Sequence, residues 1–190
     1  GEVLALVGEN GAGKSTLIKV LGGAHLPDQG TLAFDGEVRQ INSPVDGRNA
    51  GVGIIYQEFN LVPQLTAREN IFLGQEKTRF GCFSRQREHD AALALFKRVG
   101  VAVDPEALCG DLSVAQQQVV EIAKALSVEA KIIVMDEPSA TLTPQEVERL
   151  FAVMRELKSQ GIGIIYVSHR LEEIFEICDR VSVMRDGTGV

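Results

Sequence analysis

The stretch Gly8-Glu9-Asn10-Gly11-Ala12-Gly13-Lys14-Ser15-Thr16 decides the fold of this 190-residue chain. Up to Ser15 it matches the pattern G-x-x-x-x-G-K-[ST], and a chance match in a chain of this length is on the order of one in a hundred. The apolar run Val3–Val7 precedes it, and a helical pattern follows from about Ser15 to Leu21. A strand, a glycine-rich loop and a helix in this order predict a phosphate-binding loop.

The residue types in this loop suit a nucleotide. Glycines let the backbone N–H groups point at phosphate oxygens, and the start of the following helix adds about half a positive charge. Lys14 supplies a full positive charge for the β- and γ-phosphates, and the Ser15 hydroxyl is a ligand for Mg²⁺. We therefore expect every residue of this loop to contribute to the nucleotide site, namely Gly8, Glu9, Asn10, Gly11, Ala12, Gly13, Lys14, Ser15 and Thr16.

A second motif ends the buried strand predicted over Ile132–Met135. Asp136 and Glu137 follow this strand directly, so both carboxylates are expected at the sheet edge where the phosphates lie. Asp136 would hold Mg²⁺, and Glu137 would polarise the attacking water as a general base. Alone, the pair is explained more simply as solvated carboxylates. Together with the phosphate loop it indicates a hydrolytic centre.

Strands and helices alternate along most of the chain. This pattern predicts an α/β fold with a mostly parallel sheet and a ligand site at the carboxyl ends of its strands. Thr31–Phe34 and Val38–Ile41 predict a small antiparallel hairpin, because the Asp35-Gly36 pair between them suits a type I′ turn. We expect a single domain over residues 1–190, cut from a longer protein at both ends. Its α/β core would comprise residues 1–73 and 131–190, with a helical subdomain inserted at 74–130.

Local signals mark the helix starts and the buried helix faces. Capping boxes are predicted at Thr66 and Thr143, and Ser84 and Ser113 are predicted to open the two main helices of the subdomain. Apolar residues at helical spacing predict two buried stripes. These are Ala92, Leu95, Phe96 and Val99 in the subdomain, and Leu171, Ile174, Phe175 and Cys178 near the carboxyl terminus.

Three further features lie in a fixed order around the two motifs. Gln57 follows the strand predicted over Val52–Tyr56, Leu112-Ser113-Val114-Ala115-Gln116 opens a helix, and Ser168-His169 ends the strand predicted over Ile162–Val167. Over essentially the whole chain this set resembles the ABC ATPase family, whose core is a P-loop NTPase fold. It is most similar to the first ATPase half of the ATP-binding proteins that serve bacterial importers of ribose, galactose, arabinose or xylose.

The resemblance implies roles for these residues. Glu137, His169 and Gln57 would be catalytic, and Ser15, Gln57 and Asp136 would hold Mg²⁺. The signature segment, Leu112, Ser113, Val114, Ala115 and Gln116, would act on ATP bound to an opposite ATPase domain. The family's usual signature is L-S-G-G-Q, so Val114 and Ala115 replace two glycines. In the monosaccharide importers this replacement is common.

The resemblance also implies an activity and partners. The activity is hydrolysis of ATP with Mg²⁺, coupled to sugar uptake at the cytoplasmic face of the cell membrane. The partners are a second ABC ATPase domain in the same full-length chain, membrane permease subunits and, indirectly, a periplasmic or extracellular sugar-binding protein. A soluble ABC-type ATPase that is not coupled to transport, with a ribosome-associated or regulatory role, remains the alternative.

Composition excludes several other classes. Apolar residues make up 45% and charged residues 24% of the chain, as in ordinary globular domains. The net charge of −7 argues against a nucleic acid partner. No apolar run approaches the roughly 18–20 residues that span a bilayer. Cys82, Cys109 and Cys178 show no metal-binding spacing and are expected to be reduced thiols, with Cys178 buried.

Overall fold

The computed structural model describes residues 1–75 and 84–190. Within these residues the strands are β1 Val3–Val7, β2 Leu32–Phe34, β3 Glu37–Arg39, β4 Val52–Ile55, β5 Ile132–Asp136, β6 Gly163–Val167, β7 Arg180–Arg185 and β8 Thr188–Gly189. The α-helices are α1 Lys14–Leu21, α2 Pro44–Asn49, α3 Ala67–Phe72, α4 Arg85–Val99, α5 Val114–Ser127, α6 Pro144–Ser159 and α7 Leu171–Ile177. A short 3₁₀ helix covers Cys109–Asp111.

A six-stranded sheet in the order β4-β5-β6-β1-β7-β8 forms the centre of the domain. Its first five strands run parallel, and β8 pairs antiparallel with β7. The middle of strand β5 is fully buried, since Ile133, Val134 and Met135 have no exposed surface. The observed architecture confirms the predicted α/β class with a mostly parallel sheet.

Strands β2 and β3 form the predicted antiparallel hairpin. Asp35 and Gly36 both have positive φ, 53° and 80°, as a type I′ turn requires. The second strand of the hairpin was predicted over Val38–Ile41, but it runs from Glu37 to Arg39. Ile41 lies outside the strand, where it is buried in the core beneath the sheet.

Helix α5 packs against α3, α4 and strand β4. Capping boxes are present at Thr66, Ser113 and Thr143, so three predicted helix starts are confirmed in detail. Ser84 precedes α4 at its N-cap position, although its side chain accepts no capping hydrogen bond. The division of the chain into a core and a subdomain at residues 74 and 130 stays a prediction.

The buried stripe predicted for α4 is largely confirmed, and the stripe predicted for α7 is half wrong. Ala92, Phe96 and Val99 are buried. In α7, however, Leu171 is 62% and Phe175 81% exposed. The reason is that Glu173 turns inward with Ile174 and Ile177, so a carboxylate takes part of the face that the apolar pattern had assigned to phenylalanine.

The described cysteines are both free thiols. Cys109 is buried and Cys178 is only half-buried, which corrects the expectation for Cys178. Burial raises the pKa of both thiols, that of Cys178 to about 11, so neither is a ready nucleophile. Cys82 lies outside the described residues. None of the described helices is long and apolar enough to cross a bilayer.

Arg68, which is 4% exposed, joins α3 to α4 and to the segment before the 3₁₀ helix. Its guanidinium donates hydrogen bonds to Glu88 at 2.7 Å and Glu106 at 2.9 Å. Hydrogen bonds from Arg85, Arg68 and His89 lower the pKa of Glu106 to about 2. A buried guanidinium with several carboxylate partners is satisfied, and this network fixes how the two helices pack.

Asn70, fully buried in α3, fixes the loop that links β4 to this helix. Its amide oxygen accepts a 2.7 Å hydrogen bond from the Val62 N–H group. Its amide nitrogen donates to the carbonyl oxygens of Val62, Leu65 and Thr66 at 3.0, 3.2 and 3.1 Å. Gln57 lies in the same loop, five residues before Val62.

We expect Asn70→Ala to loosen this loop. Each hydrogen bond that the amide makes is worth about 0.5–1.5 kcal/mol, so losing the set should speed local opening about tenfold or more. Hydrogen–deuterium exchange of residues 61–73 in the intact protein measures this. Asn49→Ala, at the exposed end of α2, serves as control. Unchanged exchange in the Asn70 variant would contradict the assignment.

Candidate functional site

Four neighbouring parallel strands end at one edge of the sheet and carry the motif residues there. Strand β4 leads into Gln57, β5 into Glu137, β6 into His169 and β1 into Gly8. The register places Val167 opposite both Asp136 and Leu6, so these strand ends are level. The structure therefore brings the predicted phosphate loop, carboxylates, histidine and glutamine to a common edge.

The glycines of the phosphate loop meet two different requirements. Gly11 and Gly13 have φ of 86° and 100°, in the left-handed region that residues with a Cβ rarely adopt. Gly8 has room for no side chain, because a Cβ there would lie 2.4 Å from the Met184 carbonyl oxygen. The loop can therefore curve closely beneath a ligand only with glycine at these positions.

The loop presents donors and a positive charge. Gly13 caps α1 without a side-chain hydrogen bond, and the first turn of the helix contains no acidic residue. Lys14 Nζ donates to the carbonyl oxygens of Gly8 at 2.7 Å and Glu9 at 3.1 Å, while Ser15 and Thr16 are exposed. The hydroxyls and the helix N-terminus thus face solvent at the edge where an anion would bind.

Asp136 is the half-buried carboxylate of the site. Burial raises its pKa, as does the neighbouring Glu137, and Lys14 opposes this shift. Tyr56 directly follows β4, whose last residue Ile55 pairs with Met135, so it lies beside Asp136. Burial raises the pKa of Tyr56, and the charge of Asp136 raises it further. Sequence analysis did not single out Tyr56. The available signal was its position at the end of the apolar strand predicted over Val52–Tyr56.

Glu137 and His169 are in direct contact. The distance from His169 Nδ1 to Glu137 Oε1 is 3.3 Å, with the imidazole largely exposed and the carboxylate mostly covered. An ionised carboxylate only accepts hydrogen bonds, so the contact selects the ring form with a proton on Nδ1. The second ring nitrogen then remains available on the exposed side.

The backbone of Glu137 is strained. Its φ of 48° lies in the left-handed region, which costs a non-glycine residue about 1 kcal/mol. The surrounding chain holds this conformation, because the Glu137 N–H donates to the Val167 carbonyl at 3.0 Å and its own carbonyl accepts from Ala140 at 3.2 Å. The fold thus holds a strained backbone at the residue whose carboxylate contacts His169.

The signature segment forms the start of α5 rather than part of this edge. Ser113 Oγ accepts a hydrogen bond from the Gln116 N–H at 3.3 Å, and Gln116 Oε1 accepts one from the Ser113 N–H at 3.1 Å. Leu112, Val114 and Ala115 are partly buried and pack against the main core. Among the described residues, no hydrogen bond or ion pair joins this segment to the phosphate loop or Glu137.

The residues at the sheet edge fit magnesium bound together with phosphate. Asp136, Ser15 and Gln57 offer a carboxylate, a hydroxyl and an amide oxygen, which are ligands that Mg²⁺ prefers. Within residues 1–75 and 84–190, no three His, Cys, Asp or Glu side chains cluster closely enough to hold a metal by themselves. The ion would therefore complete its coordination with phosphate oxygens and water.

The fold and the strand-end loop define the class, an α/β domain of the P-loop NTPase type. A family model described as ABC transporter matches residues 1–140. The chain belongs to this ABC transporter family, which confirms the resemblance drawn from the ordered motifs.

Similar proteins align with nearly all of this chain. The ribose import ATP-binding protein RbsA 2 of Burkholderia ambifaria is 57% identical over 188 residues, which are 98% of this chain and 37% of the relative. A ribose import ATP-binding protein of Rubrobacter xylanophilus, RbsA 1, is 53% identical over 187 residues, 98% of this chain and 38% of the relative. The chain thus spans less than two fifths of the length of these relatives.

Solved structures with the same fold are ATP-binding cassettes. A cassette of an ABC transporter in its ADP conformation is 27% identical, with a TM-score of 0.86 over all of this chain and 78% of the other. A dimeric cassette in a post-hydrolysis state, bound to ADP and Pi, is also 27% identical. Its TM-score is 0.79 over 98% of this chain and 82% of the other.

We expect Lys14→Ala to weaken nucleotide binding, because it removes the lysine charge from the phosphate loop. Hydrogen bonds to charged groups are worth about 1.5–3 kcal/mol, so the Kd for MgATP should rise about tenfold or more. Equilibrium binding to the folded variant measures this. Lys19→Ala on the same helix is the matched control, and a wild-type Kd for Lys14→Ala would remove the basis of the phosphate-loop assignment.

Proposed function

We propose that this chain binds and hydrolyses MgATP as the motor domain of an ABC importer for a monosaccharide. The observation that carries the proposal is the common sheet edge, where the ends of β1, β4, β5 and β6 present the phosphate loop, Gln57, the two carboxylates and His169. Each residue type suits phosphoryl transfer, in which catalysis consists of positioning and charge stabilisation.

The positions of the side chains and the family resemblance together support a role for each residue. Lys14 and the N–H groups at the start of α1 bind the phosphates, and Asp136 and Ser15 would be ligands of the magnesium ion of MgATP. Glu137 accepts the proton of the attacking water. His169, in contact with Glu137, holds that carboxylate in place, and a ring protonated on both nitrogens would also donate its Nε2–H to the γ-phosphate. Magnesium held by Asp136, Ser15 and Gln57 would supply positive charge that offsets the charge of the phosphates.

The signature segment supports a mechanism with two domains. Ser113 is exposed at the start of a 14-residue helix with no acidic residue in its first turn. Such a helix start suits a γ-phosphate held by an opposite ATPase domain. The dimeric cassette of the same fold supports this arrangement, and the second domain would belong to the same full-length chain.

The similar proteins support sugar import over a soluble role. Two relatives more than half identical to this chain carry the name ribose import ATP-binding protein. We infer that the chain works at the cytoplasmic face of the membrane with permease subunits, which receive the sugar from a periplasmic or extracellular binding protein. Ribose or a related monosaccharide is the transported substrate.

We expect Glu137→Gln to keep MgATP binding and to lose turnover. The amide preserves shape but cannot act as a base, and loss of a general base lowers rates about 10²–10⁴-fold. The intact protein should also lose uptake of labelled ribose in cells that depend on it. Glu148→Gln, at an exposed position on α6, should change neither activity.

Two outcomes would count against the proposal in different ways. Hydrolysis by Glu137→Gln within a factor of about three of wild type would show that another group activates the water. Normal ribose uptake despite lost hydrolysis would separate the ATPase from sugar transport and favour the soluble role.

We expect Val114→Gly with Ala115→Gly to raise turnover in the intact protein, because two fewer side chains crowd the approach of the opposite nucleotide. Both residues also pack against the core, and each glycine costs a helix up to about 1 kcal/mol. Ala152→Gly on α6 controls for that cost. Turnover at or below wild type in a stable variant would show that crowding does not limit the partner's site.

A further inference from the structure

A carboxylate is buried behind the candidate site, outside the residues that the motifs assign. Glu173, in the first turn of α7, is 7% exposed. Its Oε2 atom accepts hydrogen bonds from Ser139 Oγ at 2.7 Å, Tyr166 Oη at 2.7 Å and Ser168 Oγ at 3.1 Å. Its Oε1 atom accepts one from Arg170 Nη1 at 3.1 Å.

This environment keeps Glu173 ionised. Burial by itself raises the pKa of the carboxyl, but the hydrogen bonds from Tyr166, Ser139, Ser168 and Arg170 outweigh burial and lower it. Burial raises the pKa of Tyr166, and the neighbouring Glu173 carboxylate raises it further. A buried charge is a poor source of stability compared with an apolar side chain of the same volume. Its placement therefore points to a role in fixing geometry.

The donors belong to the two segments that carry the catalytic pair. Ser139 lies two residues after Glu137, and Ser168 lies immediately before His169. Ser168 Oγ also accepts a 3.0 Å hydrogen bond from the Arg170 N–H, so the residues on both sides of His169 are held. One carboxylate thus joins the Glu137 segment to the His169 segment.

Tyr166 connects the Glu173 network to the central sheet. It has no exposed surface, and its ring packs edge-on against Phe151 with the centroids 6.3 Å apart. Its register position opposite Met135 places it one residue before the level of Asp136 in the sheet. The hydroxyl therefore ties Glu173 to the rigid part of the fold.

We propose that Glu173 is a positioning residue that sets His169 against Glu137 through Ser139 and Ser168. The inference rests on the proposed ATP hydrolysis. Among the described residues, no hydrogen bond or ion pair joins this network to the phosphate loop, so we expect Glu173 to affect the rate of hydrolysis and to leave nucleotide binding unchanged.

The test uses Glu173→Gln in the intact protein. The amide has one acceptor oxygen in place of two and no charge. With that oxygen toward the three hydroxyls, their hydrogen bonds weaken and the NH₂ group meets the Arg170 guanidinium, which is also a donor. Small displacements of catalytic groups cost up to about a hundredfold in rate, and we expect kcat to fall about ten- to a hundredfold. The Kd for MgATP should stay within about twofold of wild type. Glu172→Gln, the exposed neighbour on α7, should retain wild-type kcat.

A double-variant cycle separates positioning from simple loss of structure. If Glu173 acts through His169, then Glu173→Gln should lower kcat by less than about twofold in a His169→Ala background. Independent effects that multiply, or a kcat for Glu173→Gln within twofold of wild type, would overturn the proposal. A joint loss of kcat, MgATP binding and thermal stability would overturn it as well, since that result indicates structure alone.

Tyr166→Phe provides a milder version should the glutamine variant fail to fold. It removes one of the hydrogen bonds and keeps the ring, and the same criteria for kcat, Kd and coupling to His169 apply. Glu137→Gln separates the two proposals. Retained turnover in that variant shows that another group activates the water and removes the proposed role of Glu137, whereas turnover that depends on Glu137 but not on Glu173 rejects only this inference.

Discussion

The register of parallel pairing among β4, β5, β6 and β1 is the constraint on which the site depends. Backbone hydrogen bonds fix Val167 opposite Asp136 and Leu6, and side chains alternate between the two faces of a sheet. A slip of one residue would turn the carboxylate, histidine and glycine loop away from one another. The short motifs meet because the buried apolar strands before them hold this alignment.

The positions of the motifs could be read from sequence because each requirement was local. A glycine-rich turn between a strand and a helix, and acidic residues directly after an apolar run, place groups at the carboxyl end of a strand wherever the strand lies in the sheet. Capping boxes at Ser113 and Thr143 are likewise complete within four residues. The family resemblance supplied the roles of Gln57 and His169, which no local pattern distinguishes from ordinary polar residues.

The parts that sequence did not predict depend on contacts between distant segments. The apolar periodicity predicted that Phe175 is buried and gave no signal for Glu173. A carboxylate can be buried at this position only because three hydroxyls from other elements donate hydrogen bonds to it. The positive φ of Glu137 depends on a backbone bond to Val167, 30 residues away along the chain. Such features become visible only when the strands are paired.

The bonds that Lys14 makes with the Gly8 and Glu9 carbonyl oxygens give the loop a means of discrimination. The Lys14 ammonium already donates hydrogen bonds to these carbonyl oxygens before a ligand binds. The ligand has to exchange these contacts for its own, and only the difference between the two sets contributes to affinity. A weakly charged or poorly placed anion gains little by the exchange, whereas a polyphosphate that also engages the helix N-terminus gains much. If the loop binds a nucleotide as proposed, Lys14 would favour ligands with a high density of negative charge that also reach the helix N-terminus, whichever base they carry.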